Sequence, residues 1–109
     1  MEPVVVKASQ AATWSEGAEV CRLFHKTDKI TFGSSALMPG ETGGTDPGHA
    51  KSHEVFYCAR GHVRVELNDG IIADLCEGDA LLIPPAVPHT ITNVGSEPCI
   101  VTWSLAPSE

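Results

Sequence analysis

Residues 77–93 read EGDALLIPPAVPHTITN. Glu77-Gly78-Asp79 is a turn signal, and Ala80–Ile83 is a short apolar run with no helical period. A run of that length between turn residues reads as a buried strand. Pro84 and Pro85 end it, because proline has no N–H to give a ladder. Thr90–Asn93 resumes the strand pattern, and His89 stands at its threshold. Two short strands are thus joined by a proline-rich link that carries a histidine.

The same grammar extends outward. In HVRVELNDGIIADLC, Val63, Val65 and Leu67 alternate with His62, Arg64 and Glu66, which is the period of a half-buried strand. Asn68-Asp69-Gly70 tolerates positive φ and predicts a tight hairpin, with Ile71–Cys76 returning antiparallel. Val4–Val6, Glu19–Phe24, Ile30–Leu37 and Cys99–Leu105 also read as strands. SQAATWSEGAEV holds helix formers but is short and carries Gly17, so one helical turn at most is expected there. About nine short strands with mostly short loops predict a closed or double-sheet all-β architecture. Upstream, DPGHAKSHEVFYCARG (46–61) gathers His49, His53 and Glu54 in front of an aromatic strand.

The chain of 109 residues suits one domain, and 42% apolar residues can build a core. No apolar run of about eighteen residues occurs, so no membrane partner is expected. MEPVVVKASQ does not have the form of a signal peptide, which predicts a cytoplasmic protein. A net charge of −7, from 14 acidic and 7 basic residues, argues against nucleic acid, whose affinity rests on Lys and Arg. Cys21, Cys58, Cys76 and Cys99 show no C-x-x-C pair and read as small buried hydrophobes.

EGDALLIPPAVPHTITN resembles the second motif of the cupin family, G-x5-P-x-G-x2-H-x3-N, at Gly78, Pro84, His89 and Asn93. Ala86 replaces the glycine, and a strict positive-φ turn would be strained by it. The first motif, G-x5-H-x-H-x3,4-E-x6-G, is matched in its second half by Glu54 and Gly61. In its first half His49 fills one histidine slot and Pro47 stands in the other; if His49 is the first histidine, Lys51 stands where the second belongs. The resemblance runs from about Ile30 to Leu105. It implies a double-stranded β-helix, or jelly-roll barrel, as a single domain over 1–109, with residues 1–29 completing the sheet or a dimer interface.

In that family histidines and a glutamate hold a divalent metal inside the barrel. By resemblance His49, Glu54 and His89 are ligands, with His53 the candidate for the missing histidine. His53 neighbours Glu54, so it reaches inward only if the chain there is still a loop; Asp46 is another inward candidate. One divalent metal per chain is implied, Fe, Mn, Ni, Zn or Cu, because imidazole and carboxylate suit all of them. His53 or Lys51 would serve as catalytic acid, base or anion clamp. If Glu54 points inward, Phe56 and Cys58 share its face, and Phe32, Met38 and Trp103 are candidates for the remaining wall. His25 and His62 read as exposed. Three functions stay open: a metal-dependent enzyme on a small organic substrate (dioxygenase, decarboxylase, lyase or isomerase), a non-catalytic small-ligand binder with or without metal, and a structural subunit. The resemblance also implies a homodimer, formed when the PVVV segment adds to the partner's sheet.

Overall fold

A computed structural model describes all 109 residues. Nine strands form: β1 (Ala12–Glu16), β2 (Glu19–Lys26), β3 (Thr31–Leu37), β4 (His53–Arg60), β5 (His62–Glu66), β6 (Ile72–Cys76), β7 (Ala80–Ile83), β8 (Thr90–Asn93) and β9 (Cys99–Ala106). They make a six-stranded sheet in the order β1-β2-β3-β9-β4-β7 and a three-stranded sheet in the order β6-β5-β8. All pairings between these strands are antiparallel. This is the all-β cupin barrel that the motifs imply. No helix is long and apolar enough to cross a membrane.

The core follows from alternation. In β4, β5 and β8 every second residue is buried, so Phe56, Val63, Val65 and Ile91 meet Leu37, Ile83 and Val101 between the sheets. Each such side chain contributes roughly 1.5–3 kcal/mol by leaving water. Asn93 is buried because its amide is fully used. Its Nδ2 donates to the Leu37 and Glu97 carbonyls at 3.0 and 2.8 Å, and its Oδ1 accepts from the Gly95 amide at 2.9 Å.

Several expectations are corrected. Residues 12–16 form a strand, preceded by a 3-10 turn at Ala8–Gln10. The helix formers there lose to pairing with β2 through the Gly17 turn, where φ is +59°. Val4–Val6 is not a strand within the chain; Val4 and Val5 are exposed and have no sheet neighbour. Cys76 is exposed, whereas Cys21, Cys58 and Cys99 are buried. The NDG hairpin forms as a short 3-10 turn with Asp69 at φ 57°.

Candidate metal centre and cavity

Glu54 is the second residue of β4, and alternation turns it inward with Phe56 while His53 faces out. His89 enters from the other sheet, at the start of β8. What joins them is the long loop from Met38 to Ser52, which lies back along β8. Asp46 and His89 exchange two backbone hydrogen bonds of 2.9 Å, and the Ala86 amide donates to the His49 carbonyl at 2.6 Å. Gly48, at φ +92°, packs so closely on Val87 that an added Cβ would lie 2.8 Å from its backbone. The proline-rich link therefore carries the His49 loop directly above β8.

Four donor atoms converge as a result. His89 Nε2 lies 3.2 Å from Glu54 Oε1 and 3.8 Å from Asp46 Oδ2. His49 Nε2 lies 3.9 Å from Glu54 Oε1 and 3.8 Å from Asp46 Oδ2. Acid and imidazole alternate around this ring. Two of the four, His89 and Asp46, are also held from behind. His89 Nδ1 lies 3.0 Å from the Val87 carbonyl; donation there leaves Nε2 as the ligand atom of the neutral ring. The Gly48 amide donates to Asp46 Oδ1 at 2.8 Å, which frees Oδ2. Phe56 meets the His89 ring edge-on at 5.2 Å.

Glu54 is only 6% exposed, and its Oε1 accepts no well-aligned hydrogen bond despite the short approach of His89. A buried carboxylate oxygen without a partner is costly. Burial works against charging His89, but the Glu54 carboxylate, the Val87 carbonyl and the Asp46 charge prevail and raise its pKa above the ordinary imidazole value. Metal bonds of roughly 2.0–2.2 Å place neighbouring donors about 3 Å apart; neighbours around the ring stand 3.2, 3.8, 3.8 and 3.9 Å apart, so the ring must draw inward for all four to reach one ion. The donor set fits a divalent ion.

The cavity beneath the ring measures about 220 Å³. Trp103 of β9 forms part of its wall, and Trp14 of β1 meets that indole at 6.4 Å. Gly33 makes room for this arrangement, since a Cβ there would sit 2.2 Å from the Trp103 ring. Deeper in, Glu19 is buried and accepts from the Ser35 hydroxyl and, at 3.5 Å, from the Cys21 thiol. Burial raises the Glu19 carboxyl and pushes the Cys21 thiol up to about 12.

The structure thus brings His49, Glu54 and His89 together, with Asp46, and leaves two candidates outside. His53 is exposed on the outer face of β4, because the strand begins before Glu54 rather than after it. Lys51 is exposed as well, and its backbone amide donates to Glu109 at 2.8 Å. Cys58 lies in the core below Phe56, away from the cavity lining. Met38 is 56% exposed, and Phe32 packs against Phe24 with ring centres 6.3 Å apart. The sequence reading missed Trp14, Glu16 and Glu19 as cavity residues. The alternation of Glu19 and Cys21 in β2 was the available signal for Glu19, whereas Trp14 and Glu16 lay in the segment read as a helical turn.

No curated protein matches the chain in sequence. Among solved structures, KdgF from Halomonas sp. superposes with a TM-score of 0.81 at 17% identity, covering 99% of this chain and 96% of that one. An RmlC-like cupin from Shewanella frigidimarina gives 0.78 at 19% identity, covering 99% and 94%. A predicted oxalate decarboxylase from Thermotoga maritima gives 0.76 at 19% identity, covering 96% and 100%. At these identities the likeness is one of fold. The sequence model of the cupin domain matches residues 33–105, a span that takes in every donor of the ring from Asp46 to His89, and the chain belongs to the cupin family.

Proposed function

We propose that the chain binds one divalent transition metal through His49, Glu54 and His89, with Asp46 on the fourth side, and acts on a small, partly apolar organic molecule. The observation that carries this reading is the unpartnered Oε1 of Glu54, buried and facing two imidazoles. A cation there would turn an uncompensated carboxylate into a ligand. Bound in the ring, the metal would supply Lewis-acid polarisation of a substrate oxygen for decarboxylation, elimination or isomerisation, or, if redox-active, the electron transfer that dioxygenation needs. The chain's own contributions are definite. The Val87 carbonyl sets the His89 tautomer, and Phe56 and Trp103 give the cavity an apolar part of its wall. Asp46 Oδ2, on a side chain more exposed than Glu54 and without a backbone donor, faces both imidazoles from the fourth side.

Non-catalytic capture of a small ligand is the second reading. It is favoured by the outward placement of His53 and Lys51, which removes both expected acid–base residues from the cavity. The first experiment is elemental analysis of tag-free protein beside His89→Ala. About one equivalent of Fe, Mn, Ni, Zn or Cu in the parent, lost in a variant with unchanged circular dichroism, is expected. No metal in the parent after reconstitution would overturn the metal reading. Turnover assays of the loaded protein then separate enzyme from binder.

A further inference from the structure

The cavity has an unusual charge. Its wall includes five carboxylates, from Glu16, Glu19, Asp46, Glu54 and Glu109, and no lysine or arginine. One divalent ion at the ring balances Glu54 and Asp46 and leaves the rest uncompensated. Glu109 keeps its charge but has its oxygens occupied, since its carboxylate accepts from the Ala50, Lys51 and Ser52 amides. The acids left without such donors or a metal are Glu16 and Glu19.

Two features show that this is more than an acidic patch. Glu19 is 7% exposed and lines the cavity, and both of its hydrogen bonds go to Oε2, leaving Oε1 without a donor. Trp14 and Trp103 stand beside it: the Trp14 indole N–H donates to Glu16 Oε1 at 3.1 Å, and that of Trp103 to Ser35 Oγ at 3.1 Å. Indoles next to carboxylates with no competing cation make a receptor for an ammonium group, which gains from both ring quadrupole and charge. An anionic ligand would meet repulsion from the same wall. Glu16, Glu19 and Cys21 stand close enough to hold an inorganic ion, a competing occupant that the metal content of Glu19→Gln distinguishes.

We propose that the cavity takes a small organic ammonium ion, its charged head lodged by Glu16 and Glu19 beside Trp14 and Trp103, and its far end reaching the metal ring. This names the substrate class of the site above and rests on that reading for the metal end alone.

The test uses three molecules with one carbon skeleton and different charge: 3,3-dimethylbutylamine, 3,3-dimethylbutan-1-ol and 3,3-dimethylbutanoate. Each is titrated calorimetrically into the full chain, metal-loaded and metal-free. The amine is expected to bind at least about tenfold more tightly than the alcohol, with the anion weakest. Glu19→Gln and Glu16→Gln, the second at an exposed position that does not threaten folding, should each remove most of that preference and leave metal content unchanged. Equal binding of amine and alcohol, tighter binding of the anion, or no binding of the amine would overturn the proposal. So would a second equivalent of metal lost in Glu19→Gln, which would assign the acids to an inorganic ion. Loss of metal from the parent with amine selectivity intact would sink only the metal reading.

Discussion

Ala86 has φ +63°, in the left-handed region where a side chain costs roughly 1–2 kcal/mol relative to glycine. The strain persists because the turn aims the Ala86 amide at the His49 carbonyl. Ala86→Gly should relieve it, less the extra chain entropy that glycine loses on folding. The net expectation is a gain of about 0.5–1 kcal/mol, read as a higher urea midpoint with an unchanged slope. A lower midpoint would show that the alanine methyl is needed. The sequence spelled this position through the glycine slot of the second motif, and the same spacing exposed Glu54 and His89. Asp46 was harder to read, because its place in the ring depends on the double hydrogen bond to His89. That contact joins residues 43 positions apart, and no local period encodes it. His53 was misjudged on a boundary: one residue more of strand turns it outward.

At the scale of elements, the segment carrying His49 is held from two sides. One is the proline link; the other is the end of the chain, where Glu109 accepts from three consecutive amides, Ala50, Lys51 and Ser52, and from the Ser52 hydroxyl. Those bonds, the Ser52 hydroxyl's first, hold the Glu109 carboxyl at about 2, below its ordinary 4.5. A carboxyl depressed by folding stabilises the fold above its unfolded value and loses that contribution as pH falls through the folded one. The window is therefore from about 4.5 down to about 2. In metal-free protein, Glu109→Gln should melt below the parent near neutral pH, and the gap should close as pH falls through that window. A gap independent of pH would mean that the charge of Glu109 plays no part. None of this was legible beforehand, since Glu109 and Ser52 are far apart in sequence and belong to no motif. By contrast β5, β6 and β7 were read to within a residue, because alternation, NDG and Pro84 mark their ends. β1 was lost because helix propensity over five residues is weak against pairing with a neighbouring strand.

For the whole molecule, burial of the inner faces leaves an apolar remainder outside. Val55 and Leu82 are register partners on β4 and β7 and are 38% and 58% exposed, with Tyr57 two residues along at 45%. β7 is an edge of the six-stranded sheet, so its outer backbone groups have no strand partner. Val4 and Val5 are 62% and 77% exposed in a segment without sheet pairing. An unpaired apolar segment and an unpaired edge beside an apolar row have matching needs, and a second copy of the chain satisfies both. The expectation is a homodimer in which PVVV of each chain pairs with the β7 edge of the other. Light scattering at micromolar concentration should give twice the mass of one chain. Val5→Glu and Leu82→Glu should each halve it, since either places a charge in the new sheet without touching the inner core. A parent that runs as a monomer would refute the dimer. A dimer that survives both substitutions would move its interface to another face and leave PVVV without a role in it.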